Sequence, residues 1–215
     1  IPEFTKGQDV LFKNKSKLNN FINRNNEIFQ KTLIKEPSLT FFHKQLFDNF
    51  PLANYIFIVR HPLDNIRSIL DRVKINPSEL PLKKENIKRL NIKKAWKQLL
   101  LGSYFNDDHE DIMTILANRW KKAAQIYLDN ENKFILVKYE EFNENKIEVI
   151  QNIASKIGVI PRKNIENIID VQFQPKGANR SKNILDLFPT KSIKKVESFC
   201  KKEMKKLNYN FYIKH

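Results

Sequence analysis

Residues 54–60, Asn-Tyr-Ile-Phe-Ile-Val-Arg, form an unbroken apolar run that is rich in β-branched and aromatic side chains. A run of this length and type predicts a strand covered on both faces, as in a parallel sheet. It ends in Arg60-His61-Pro62, and Ile66, Ile69, Leu70 and Val73 follow at helical spacing. Proline is favoured in the first helical turn, so the segment predicts a strand, a short turn and a helix over about 62–73. In open α/β sheets the carboxyl ends of the strands are where ligands bind, which makes the Arg60 turn the first place to look for a site.

Other segments repeat this alternation. Phe134-Ile135-Leu136-Val137 predicts a second buried strand. Amphipathic spacing predicts helices over about 109–129, 145–157 and 190–206, with Gly158 ending the second. Leu18, Phe21, Ile22, Phe29 and Leu33 suggest a helix within 8–33, interrupted by Asn23-Arg24-Asn25-Asn26. Pro37 ends it, and Ser38 is the expected cap of a helix over about 39–49. No internal repeat or linker is visible, so the expectation is a single domain over residues 1–215.

Composition narrows the chemistry. Only four glycines occur, at 7, 102, 158 and 177, too far apart for either common glycine-rich phosphate loop. One cysteine, Cys200, excludes an internal disulfide framework and zinc sites built on several cysteines. No apolar stretch is long enough for a transmembrane helix. Without a visible secretory signal, the expected location is cytoplasmic. The 39 Lys and Arg against 24 Asp and Glu leave a net +15, which favours anionic partners. Residues 71–97 hold nine of these cations against three acids, and residues 176–206 are a second basic segment. If 83–97 is one helix, Leu90 and Trp96 should dock it by an apolar side while Lys83, Lys94 and Lys97 fall near one face beside the candidate site. No recognition-helix, zinc-finger or RNA-binding signature accompanies the charge, so nucleic acid is not expected.

Arg60 and Ser68, eight residues apart, bracket the predicted turn. A guanidinium and a hydroxyl converging there can hold a phosphate, helped by the helix dipole. The alternative on the same residues is an Arg60–Asp64 ion pair with Ser68 as a small packing residue.

The stretch from Phe50-Pro51-Leu52-Ala53 through Val59-Arg60-His61-Pro62 to Ser68 resembles the second cofactor motif of the sulfotransferase family. His61 stands where that motif more often has Asp. Four further segments resemble the family in order. They are Lys35-Glu36-Pro37-Ser38, Leu116-Ala117-Asn118-Arg119-Trp120, Val137-Lys138-Tyr139-Glu140-Glu141-Phe142 and Leu207-Asn208-Tyr209. The resemblance implies a P-loop-like three-layer α/β/α sandwich with a parallel sheet. It also implies sulfuryl transfer from 3′-phosphoadenosine 5′-phosphosulfate (PAPS) to a hydroxyl or amine, releasing adenosine 3′,5′-bisphosphate. Through it, Arg60 and Ser68 are expected to bind the cofactor's 3′-phosphate, with Arg180 and Lys182 contributing from a basic loop. Lys35 is expected to act on the transferring group, its alternative being a solvated lysine at a helix end.

One family element has no counterpart. The phosphosulfate loop, of the kind Lys/Arg-Ser-Gly-Thr, does not occur in residues 1–34. Either it lies outside this sequence, which is the favoured expectation, or the chain is a nucleotide- or polyanion-binding module without transferase activity. The acceptor is expected to be an anionic glycan or a small molecule. Trp120 and Tyr139 are read as core residues, His43 as structural and Asp107 and Asp108 as helix caps.

Overall fold

The computed structural model describes residues 11–12, 18–160, 162–171 and 177–213. The fold is a helix-dominated α/β arrangement with one two-stranded parallel sheet among the described residues. Strand β1 spans Tyr55–Val59 and pairs with β2, Phe134–Lys138, in register from Tyr55 opposite Phe134 to Val59 opposite Lys138.

Five helices position the site. Helix α4, Pro62–Val73, follows β1 directly. Helix α7 spans Ile112–Leu128, and α8, Tyr139–Glu144, continues straight from β2. Helix α9 spans Lys146–Lys156 and α11 spans Thr190–Lys206. The shorter pieces are α1 (Leu18–Arg24), α2 (Asn26–Phe29), α3 (His43–Asn49), α5 (Lys84–Arg89), α6 (Lys94–Leu100) and α10 (Ile184–Leu187). No helix among the described residues is long and apolar enough to cross a membrane.

The main core lies between one face of the sheet and helices α4, α7 and α11. Phe57, Val59, Leu63, Ile66, Met113, Leu116, Ile193, Val196 and Cys200 are all buried in it. A second, aromatic cluster joins Phe12, Phe29, Phe41 and Phe42 to Tyr104. Phe12 stacks on Tyr104 at 4.5 Å and meets Phe42 edge-on at 5.0 Å, an arrangement that suits ring quadrupoles.

Several expectations need correction. The β1 side chains are not covered on both faces: Ile58 is 60% exposed, because helices cover only the face carrying Phe57 and Val59. Among the described residues β1 has one neighbour in the sheet, β2. A two-stranded sheet is smaller than the three-layer sandwich expected.

The segment 39–49 is not one helix. A 3-10 turn over Pro37–Phe42 leads into α3, and its cap is Glu36, whose carboxylate accepts from the Ser38 N–H at 3.1 Å. The amphipathic pattern before it splits into α1 and α2. Asn25 sits between them, and its side-chain amide donates to the Phe21 carbonyl at 2.8 Å, competing with helical bonding. Residues 13–17 lie outside the described residues.

Helix α7 is capped by Asp111, which accepts from the Thr114 N–H at 3.1 Å and the Thr114 hydroxyl at 2.8 Å. Asp107 is instead buried, accepting from the Asn118 amide at 2.7 Å and the His109 N–H at 3.0 Å. Those bonds hold its carboxyl below the ordinary range despite its desolvation, which pushes the other way.

Segment 83–97 docks by its apolar side, with Ile87 fully buried and Leu90 and Trp96 against the main core. It does so as two short helices, α5 and α6, and not as one.

Candidate anion-binding cleft

The turn after β1 is built by hydrogen bonds, three of them made by the N–H and ring of His61. Its N–H donates to Glu140 Oε1 at 2.9 Å, and its Nδ1 accepts from the Leu63 N–H at 3.3 Å, capping α4. With Nδ1 as acceptor, Nε2 carries the proton and donates to the Asn210 carbonyl at 3.1 Å. Its Nδ1 also lies 3.9 Å from Asp64. The imidazole is neutral, because burial holds its pKa below the usual value, outweighing Asp64, Asn210, Glu197 and Glu140, which pull it up. A neutral histidine therefore caps α4 here in the place of a carboxylate.

That state has a measurable consequence. The unfolded imidazole takes up a proton near pH 6.5, the folded one only at lower pH. The unfolded chain thus binds more protons in that window, and stability should fall as pH drops through about 6.5. Urea midpoints should decline between about pH 7.5 and 5.5. The decline should be smaller in His61→Asn, which keeps a capping acceptor without the titration. Parallel profiles for the two proteins would refute the role given to His61.

Arg60 is placed by three contacts. Its carbonyl accepts from Trp120 Nε1–H at 2.8 Å. Its guanidinium lies over the Tyr139 ring at 4.8 Å and 3.7 Å from Asp64. Tyr139 therefore touches the site, although its sequence context pointed to the core. A shared Tyr-Glu-Glu helix start at the end of β2 carried no signal that the ring would face Arg60.

The ends of β1 and β2 open into a cleft of about 1290 Å³. Lys35, Arg60, Ser68 and Arg180 all line it, so four of the five expected site residues share one cavity despite separations of up to 145 positions. Lys182 is not among the lining residues; its side chain is exposed and its carbonyl accepts from Arg67 Nη1 at 2.9 Å. Lys83, Lys94 and Lys97 also lie outside the lining, and Lys97 Nζ donates instead to the Lys88 carbonyl at 3.1 Å. Ser68 is exposed on the cleft face of α4 and has no hydrogen-bond partner among the described residues, so it is not a packing residue.

The cleft has more cations than the sequence pointed to. Arg67, Arg72, Lys74 and Lys146 join Lys35, Arg60 and Arg180, against Asp71 and Asp170. Lys146 pairs with Asp170. Ser68, Asp71 and Arg72 lie at spacings of three and four, the one sequence signal that could have placed them on one helix face. The opposite wall is apolar, with Phe142, Ile150, Ile165, Ile168 and Ile169.

Helix α4 also fixes the loop that carries Arg180. Asp71 accepts from the Asn179 side-chain amide at 2.6 Å and its N–H at 3.3 Å. Arg67 holds the other end through Lys182. The close approach needs a glycine at 177, because a Cβ there would collide with the Asp71 carboxylate. Lys176 of the same loop lies outside the described residues.

Lys35 and Glu36 part company. The extended backbone at Glu36 turns its carboxylate to the Pro37 turn and toward Arg119, while Lys35 is exposed to the cleft. Arg119 is held to about 10 by burial, partly offset by Tyr104 and Glu36, and stays charged. His43 is half-buried beside Phe47, their rings 5.7 Å apart. Compared with family models, curated proteins and solved structures, the chain matches none.

Proposed function

We propose that this cleft binds PAPS and its product adenosine 3′,5′-bisphosphate, and that the chain transfers the sulfuryl group to a hydroxyl or amine acceptor. The observation that carries this reading is the convergence of Arg60, Ser68, Arg180 and Lys35 on one cavity at the carboxyl ends of two parallel strands. The donor set suits the ligand. Arg60 and Arg180 offer fork-shaped cations for a phosphate dianion, and the exposed Ser68 hydroxyl adds a neutral donor. The apolar wall offers a surface to the base. In the transfer itself, a bond from the acceptor atom to sulfur forms as the bond from sulfur to the phosphate oxygen breaks; adenosine 3′,5′-bisphosphate leaves, and the acceptor's proton passes to solvent. Lys35 is the cation assigned to the charge that develops there.

For the acceptor, α11 supports an anionic glycan. It turns Lys191, Lys194, Lys201, Lys202, Lys205 and Lys206 to solvent, while its acids Glu197 and Glu203 are buried. Such a face differs from the mixed-sign surface that solubility alone requires.

A second reading, a nucleotide- or polyanion-binding module without transfer, is favoured by one observation. The acids lining the cleft among the described residues are both engaged, Asp71 by Asn179 and Asp170 by Lys146, leaving neither as an unoccupied base. This reading predicts tight binding without turnover.

Calorimetry with two nucleotides tests the site. Adenosine 3′,5′-bisphosphate should bind more tightly than adenosine 5′-monophosphate. Arg60→Ala should erase most of the difference, about 10- to 100-fold, since each charge-assisted bond contributes about 1.5–3 kcal/mol. Equal affinity for both nucleotides in the unaltered protein would sink the assignment.

A further inference from the structure

The segment that follows α11 reaches back across the Arg60 turn. The Tyr209 hydroxyl donates to Glu140 Oε2 at 3.0 Å, and the Asn210 carbonyl accepts from His61. The Tyr212 and Ile213 N–H groups donate to Glu197, at 2.5 and 3.4 Å. Glu197 is fully buried on α11, so this carboxylate anchors the segment rigidly. The Tyr212 ring meets His61 edge-on at 4.7 Å, and its hydroxyl donates to Asp64 Oδ2 at 3.0 Å.

Asp64 is thus shared. Its Oδ1 pairs with Arg67 and lies 3.7 Å from Arg60, while its Oδ2 is taken by Tyr212. The carboxylate is only 13% exposed, so water screens it weakly, and each donor it satisfies lowers its pull on the others. Arg60 at 3.7 Å is the most loosely held of the three. A loosely held guanidinium stays available to a ligand; one drawn into a close pair with Asp64 does not.

We propose that Tyr212 is a positioning residue for Arg60: its hydroxyl occupies Asp64 and thereby keeps the Arg60 guanidinium available to a phosphate in the cleft. The inference rests on the reading of Arg60 as a phosphate ligand. It assigns a specificity role to a residue 152 positions away that does not line the cleft. The hydroxyl remains a donor throughout the physiological range, because burial and the neighbouring Asp64 raise its pKa far above the ordinary value.

The two members of the pair should act with opposite signs. Tyr212→Phe removes a donor from Asp64, which then draws Arg60 closer and weakens phosphate binding. Asp64→Asn keeps an oxygen for Arg67 but removes the charge that competes for Arg60, and should tighten it. The test is a double-mutant cycle read by calorimetry with adenosine 3′,5′-bisphosphate and adenosine 5′-monophosphate. Tyr212→Phe should weaken the bisphosphate about three- to tenfold and leave the monophosphate unchanged, as expected for a redistributed charge-assisted bond. In the Asp64→Asn background the same change should have no effect on either ligand. An equal loss in both backgrounds would show that Tyr212 only anchors the chain and would overturn the proposal, as would no loss in the unaltered protein. If the unaltered protein does not prefer the bisphosphate, the phosphate role of Arg60 falls, and the proposal with it.

Discussion

Under the proposed function, replacing Lys35 by Ala is expected to lower the rate constant for sulfuryl transfer by about 10²- to 10³-fold, the usual loss when one donor to a developing charge is removed. The affinity for adenosine 3′,5′-bisphosphate should change little, because that ligand lacks the transferring group. The expectation follows from the chain path at 34–36. Extended backbone sends alternate side chains to opposite sides, so Lys35 enters the cleft while Glu36 caps the next turn. Among the described residues Lys35 has no ion-pair partner, so its ammonium is not committed elsewhere. The measurement is a single-turnover transfer assay beside calorimetry. A fall in binding that matches the fall in rate would make Lys35 an ordinary ligand contact. No fall in either would reduce it to a solvated lysine.

Trp120→Ala should be the most destabilising of the substitutions considered. The indole is 5% exposed in the main core, and truncating an aromatic of this size costs about 3–5 kcal/mol. Its Nε1–H also donates to the Arg60 carbonyl, so the same side chain joins the core to the site. Trp120→Phe separates the two roles. It keeps most of the apolar volume and leaves the Arg60 carbonyl without its donor, at about 1–3 kcal/mol. Denaturant unfolding should therefore rank the Ala variant far below the Phe variant. Calorimetry should show weakened bisphosphate binding in the Phe variant while the protein remains folded. A Phe variant with unchanged ligand affinity would show that Trp120 supports the fold alone.

Local chemistry makes much of this molecule legible in its sequence. The β1 run, the helix beginning at Pro62 and the seventeen residues of α11 follow from patterns that each segment carries within itself. Alternation, proline at a first helical turn and a buried face at helical spacing need no distant partner to be recognised. That Arg60 and Ser68 would lie near one another was legible for the same reason, since both belong to one strand-turn-helix unit, and both line the cleft.

What the sequence could not determine lies in contacts between segments. Its continuous apolar run did not distinguish a strand buried on both faces from one with Ile58 at the surface, because coverage depends on what else packs there. Helical spacing over 83–97 did not reveal two helices. Tyr139 looked like a core residue until the end of β2 placed its ring beneath Arg60. The arrival of Lys35 and Arg180 at one cleft, and of Tyr212 at Asp64, was decided only by tertiary structure. Periodicity records which face of a segment avoids water. It does not record which polar groups meet across it, because a hydrogen bond between residues far apart leaves no trace in the spacing of either.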